Sequence, residues 1–136
     1  MREKVLIVPC SGIGKSLGSV AREAAYGVTE ELCRDRTRIM PLALLVLGDK
    51  ETRTELSSAD AITLDGCVKA CAAKVVEATG GKVAHALQVL DVCQRHPGLK
   101  PAGISELNES GHELAHALAE EVKELVGNMA GGLSNV

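Results

Sequence analysis

Apolar residues fall along this chain in short blocks whose period switches between that of a buried strand and that of a helix. Residues 4–9 form a continuous apolar run, the pattern of a strand covered on both faces. The run ends at Cys10-Ser-Gly-Ile-Gly-Lys-Ser16, where two glycines permit a tight turn and Ser16 can cap a helix. Over residues 16–33, Leu17, Val20, Ala21, Ala24, Val28 and Leu32 share one face at helical spacing. Residues 38–48 are apolar but interrupted by Pro41, so the run suits a strand or a buried helix, and a second strand is assigned over part of it. Residues 49–58 are polar and read as a loop with at most one helical turn.

Residues 61–64 make a third strand, and a helix is expected from Gly66 to about Thr79, where Gly80-Gly81 stops it. Val68, Ala72, Val75 and Val76 form its inner face. Residues 83–90 are the fourth strand, followed by a loop holding Cys93, His96, Pro97, Gly98 and Pro101. A last helix over residues 110–126 aligns Leu114, Ala115, Leu118, Val122 and Leu125. Strands alternating with helices imply right-handed crossovers. The expected architecture is a single three-layer α/β domain with a mainly parallel sheet of about four strands and helices on both faces. It occupies residues 1–127, with 128–136 as a flexible C-terminal tail.

Composition narrows the partners. Of 136 residues 46% are hydrophobic, yet Tyr26 is the sole aromatic, so Ala, Val, Leu and Ile must fill the core. The net charge of -3 is spread without basic clusters, and no aromatic platform exists for bases, which argues against nucleic acid. The apolar run before Pro9 is too short for a signal peptide or a membrane span, so a soluble cytoplasmic protein is expected. In a reducing compartment an odd set of five cysteines points to metal ligands, redox groups or small buried residues rather than to disulfides.

In a parallel sheet the carboxyl ends of the strands form the binding edge. Cys10 ends the first strand, Cys67 follows the third and Cys93 follows the fourth, so all three are expected there. Cys33, at the far end of a helix of about 18 residues and roughly 27 Å from its start, is peripheral. Cys67 and Cys71, four apart on the opening turn of the expected helix, would share a face and gain acidity from the helix dipole. With Cys10 they make three of the thiolates that a zinc site needs. The same residues serve equally as exchangeable redox or sulfur-carrying thiols, or as small buried side chains.

Cys10-Ser-Gly-Ile-Gly-Lys-Ser16, Arg22-Glu-Ala-Ala-Tyr26 and Leu64-Asp-Gly-Cys-Val-Lys-Ala-Cys-Ala-Ala-Lys74 resemble the DGC-domain family over about residues 4–92. The family takes its name from an Asp-Gly-Cys motif, and zinc binding through four cysteines is assigned to it. The resemblance implies that Cys10, Cys67 and Cys71 are three of those ligands. The fourth is expected where Ile39-Met40-Pro41 stands, so either the site keeps an open position or another residue, with Cys93 the candidate, completes it. An open position would accept an exchangeable thiol ligand or a protein partner. The implied roles are metal delivery, sensing or structural support.

Other motifs compete. Gly12-Ile-Gly14-Lys15-Ser16 after a buried strand resembles the end of a phosphate-binding loop, although Pro9 replaces its opening glycine. A phosphatase-type role for Cys10 would want an arginine closing the loop, where Lys15 and Ser16 stand. His112 and His116 have the i, i+4 spacing of a metal pair but sit roughly 125° from the apolar stripe, which reads as solvent-facing. His85 reads as an edge-strand residue and His96 as a distant fourth-ligand option. Asp65 is expected to accept hydrogen bonds in its turn and to orient the Cys67 loop.

Overall fold

The computed structural model describes residues 4–10, 16–66, 69–103 and 106–134, with 130–134 described by backbone alone. Four parallel strands, β1 (Val5–Pro9), β2 (Thr37–Ile39), β3 (Asp60–Asp65) and β4 (Lys82–Gln88), form one sheet in the order β2-β1-β3-β4. The expected three-layer α/β domain is what forms. Helices α1 (Ser16–Gly27), α5 (Val89–Arg95) and α6 (Glu109–Ser134) pack together on one face. Helices α2 (Leu42–Leu47), α3 (Lys50–Ser57) and α4 (Cys71–Ala78) cover the other.

The aromatic-poor composition suits this packing. On α1, Val20, Ala21, Ala24 and Ala25 are buried, and on α6, Leu114, Ala115, Leu118, Ala119, Val122 and Val126. Small residues let the two helices approach closely: a Cβ on Gly27 would stand 3.6 Å from that of Ala119. The end of the first helical region departs from α geometry, and residues Val28–Leu32 wind as a π-helix.

Several elements differ from the sequence expectation. The apolar run after Pro41 is helix α2, not an extended strand, and β2 is confined to Thr37–Ile39. Pro41 sits at the N-cap, where its missing N–H costs nothing, and Gly48 ends the helix at φ +83°. Only Leu42 and Leu45 of this helix are buried, which leaves Val46 and Leu47 exposed. Residues 50–57 are a full helix rather than a loop, because Asp49 accepts the Thr52 N–H at 3.0 Å and caps it. Thr52 and Leu56 are its only buried residues, too few to mark a period in the sequence. Helix α6 continues past Val126 to Ser134.

The strand order places a switch point between β1 and β3. From β1 the chain crosses through α1 to β2 on one side, and from β3 through α4 to β4 on the other. The two connections leave from opposite faces, which opens a crevice beyond the carboxyl ends of β1 and β3. Cys10 and the Asp65-Gly66 turn follow those two ends directly.

Candidate metal centre

Cys10 extends β1 by one hydrogen bond, its N–H donating to the Leu64 carbonyl at 2.8 Å. Its side chain is 7% exposed, and its Sγ accepts the backbone N–H of Gly66 at 3.2 Å. This hydrogen bond joins the two turns that the sequence marked as halves of one site.

Asp65, 2% exposed, turns the chain after β3. Its carboxylate accepts the N–H of Ala72 at 2.8 Å and that of Ala73 at 3.3 Å. These are free amides at the start of α4, so Asp65 caps a helix that begins six residues later. Desolvation pushes its carboxyl pKa up, and the two amide hydrogen bonds pull it back down. Ala70, immediately before the helix, holds the left-handed conformation at φ 52° and ψ 50°.

The helix therefore begins at Cys71, not at Gly66. This corrects the expected start of the helix: Cys71 is the first residue of α4 and is exposed. The Asp65 cap sets that start by fixing which amides are satisfied. Cys67 itself lies outside the described residues, as do Gly12, Gly14 and Lys15 of the phosphate-loop reading. Ser16 opens α1.

Gly66 explains why the turn must be Asp-Gly. A Cβ there would stand 2.8 Å from the Gly18 nitrogen, 2.9 Å from the Leu17 carbonyl carbon and 3.0 Å from its oxygen. The turn after β3 thus lies directly on the backbone of the first turn of α1. No L side chain leaves room for that contact. A family model described as DGC domain matches residues 6–126. The chain belongs to the DGC-domain family. No curated protein and no solved structure matches it.

In this DGC domain Cys33 and Cys93 lie on other elements. Cys93 is not on a loop but on the second turn of α5, half-buried against the core, and desolvation raises its thiol pKa. The loop expectation failed because Val89 and Val92 bury the helix on one side while polar residues flank it, a pattern too short to show a period. Cys33 closes the π-helical segment, and burial likewise raises its thiol pKa against the pull of Lys123 and Arg36. Cys10, Cys33, Cys71 and Cys93 are free thiols. Met40, in the Ile39-Met40-Pro41 segment, is 2% exposed within the core, its N–H donating to the Ile7 carbonyl at 2.9 Å. Among the described residues no three His, Cys, Asp or Glu side chains stand together as a ready metal cluster, and no helix is long and apolar enough to cross a membrane.

His112 is more than a solvent-facing polar residue. Its Nδ1 lies 2.6 Å from Glu23 Oε2, tying α6 to α1, while His116 stands 3.8 Å from Glu120 on its own helix. The hydrogen bond to Glu23 raises the His112 pKa above 6.5, with Glu106 adding to it. A raised histidine pKa means the pair stabilises the fold fully below about 6.5 and loses that contribution as pH rises through the shifted value. An NMR titration of the His112 ring should show a midpoint above that of an ordinary histidine, returning toward it in Glu23→Gln. An unshifted midpoint in the parent protein would remove the tie.

Proposed function

We propose that this DGC domain binds zinc or a similar soft metal at the crevice between β1 and β3. The thiolates of Cys10, Cys67 and Cys71 would hold the ion, in a delivery, sensing or structural role. The observation that carries the reading is the Gly66 N–H donated to Cys10 Sγ, with Gly66 pressed onto the start of α1. It keeps the Asp65-Gly66 turn against the Cys10 thiol at the place where doubly wound sheets take their ligands. The donor set fits: sulfur is the preferred ligand atom of such metals, and Asp65 orients the turn without spending its carboxylate on the ion. A bound metal would supply either a fixed cross-link between the two turns or a Lewis-acidic open position.

The same hydrogen bond holds the Cys10 sulfur beside the Asp65-Gly66 turn with no metal present, which supports a second reading as a thiol redox or sulfur-transfer protein. Metal content of anaerobically purified protein separates the two. The metal reading expects about one equivalent of zinc-like metal per chain. Occupancy should fall to background in Cys10→Ser and Cys67→Ser and stay unchanged in Cys93→Ser, whose side chain packs on α5. Full occupancy in Cys67→Ser would end the proposal. Metal-free protein that forms a Cys10–Cys67 or Cys67–Cys71 disulfide on mild oxidation would establish the redox reading instead.

A further inference from the structure

The Arg22 guanidinium has one nitrogen that the fold leaves without an acceptor. Arg22 lies on α1 and reaches back along the helix, its Nη2 donating to the Oγ of buried Ser19 at 3.1 Å. Its Nη1 is enclosed by protein and has no hydrogen-bond acceptor. Among the described residues no carboxylate stands within ion-pairing distance of it, although Glu23 and Glu106 line the same cavity. Glu23 is taken by His112. A guanidinium nitrogen taken out of water without an acceptor is costly, and such groups in native proteins point to a missing ion or ligand.

The cavity has about 300 Å³ and is lined by Ser19, Arg22, Tyr26, Glu106, Leu107 and His112 among others. That volume lies at the small end of ligand sites. Leu107 closes one wall, and half-exposed Tyr26, the chain's sole aromatic, stands at another. Helical side chains lean toward the N-terminus, so the Arg22–Ser19 end faces the part of α1 on which Gly66 rests. We propose that Arg22 and Ser19 form the anion-binding end of a small-molecule site between α1 and the start of α6, taking a carboxylate or phosphate oxygen on the guanidinium. A planar, permanently charged fork is the side chain suited to either oxyanion. The proposal is independent of metal at the cysteines.

The test is an NMR titration of isotope-labelled protein with inorganic phosphate and, separately, with acetate, at ionic strength held constant by sodium chloride. The Arg22 side-chain N–H and the Ser19 backbone amide are followed. Saturable shifts at both groups are expected with at least one anion, and binding about tenfold weaker in Arg22→Gln, the scale of one charge-assisted hydrogen bond. Saturation by phosphate alone assigns a phosphate ligand, by acetate alone a carboxylate, and by both an oxyanion of either kind. Shifts that never saturate, or that persist at the same affinity in Arg22→Gln, overturn the proposal. Should that variant fail to fold, Ser19→Ala is expected to weaken binding several-fold, and unchanged affinity there has the same negative force.

Discussion

Replacing Gly66 by alanine should unfold this protein at markedly lower urea concentration, with a loss of about 3 kcal/mol or more. The added methyl would lie 2.8 to 3.0 Å from three backbone atoms of Leu17 and Gly18. Backbone in the first turn of a packed helix cannot move aside as the end of a flexible side chain can. Relief requires the turn after β3 to lift from α1, and with it the Gly66 N–H leaves Cys10 Sγ. Stability and metal content should therefore fall together, and Cys10 should react faster with thiol reagents. Gly98→Ala is the matching control: nothing stands within 4 Å of its Cβ position, so a change within about 0.5 kcal/mol is expected. Equal midpoints for the two variants would show that the two turns are not pressed together as described.

The second large effect is expected at Asp65. Alanine there removes both acceptors of the Ala72 and Ala73 amides, which lie buried at the start of α4. Losing an N-cap costs about 1 kcal/mol, and leaving buried donors unpaired adds about 1–3 kcal/mol, so a total of about 2–4 kcal/mol is expected. Asparagine keeps one acceptor oxygen and should lose less than half as much. Ordering of the two variants by urea denaturation tests the cap: an Asp65→Ala protein as stable as the parent would mean that α4 starts without it. Because the cap decides where the chain resumes helix after Cys67, metal occupancy should follow the same order as stability.

Much of the site was legible in the residues. Cys10 after an apolar run, and Asp65-Gly66-Cys67 after another, can be placed on one sheet edge from topology alone, because parallel strands all end on the same side. The geometry between them could not. Whether a glycine is needed for its backbone freedom or for the absence of a side chain is decided by what lies opposite, and opposite Gly66 is the backbone of a helix some fifty residues earlier. The start of α4 was misread for a similar reason. Cys67, Val68 and Cys71 have helical spacing, but the amides of Ala72 and Ala73 are claimed by a carboxylate from before the turn, and Ala70 stands in the left-handed conformation. Helices α2, α3 and α5 escaped detection because each is short and buries two residues, below what a period can reveal.

The sequence by itself determined the class of the fold, the shared direction of its strands and the edge on which Cys10 and the Asp65-Gly66 turn fall. Those follow from hydrophobic period, glycine turns and the handedness of crossovers, which are local or general rules. Tertiary structure alone decided that β1 and β3 are neighbours, that Gly66 touches α1, that His112 meets Glu23, and that one guanidinium nitrogen of Arg22 is enclosed without an acceptor. Each of these depends on residues far apart in the chain meeting at atomic distance. The Asp-Gly-Cys stretch announces a site in the sequence, and the packing of that turn against the first helix gives it a shape.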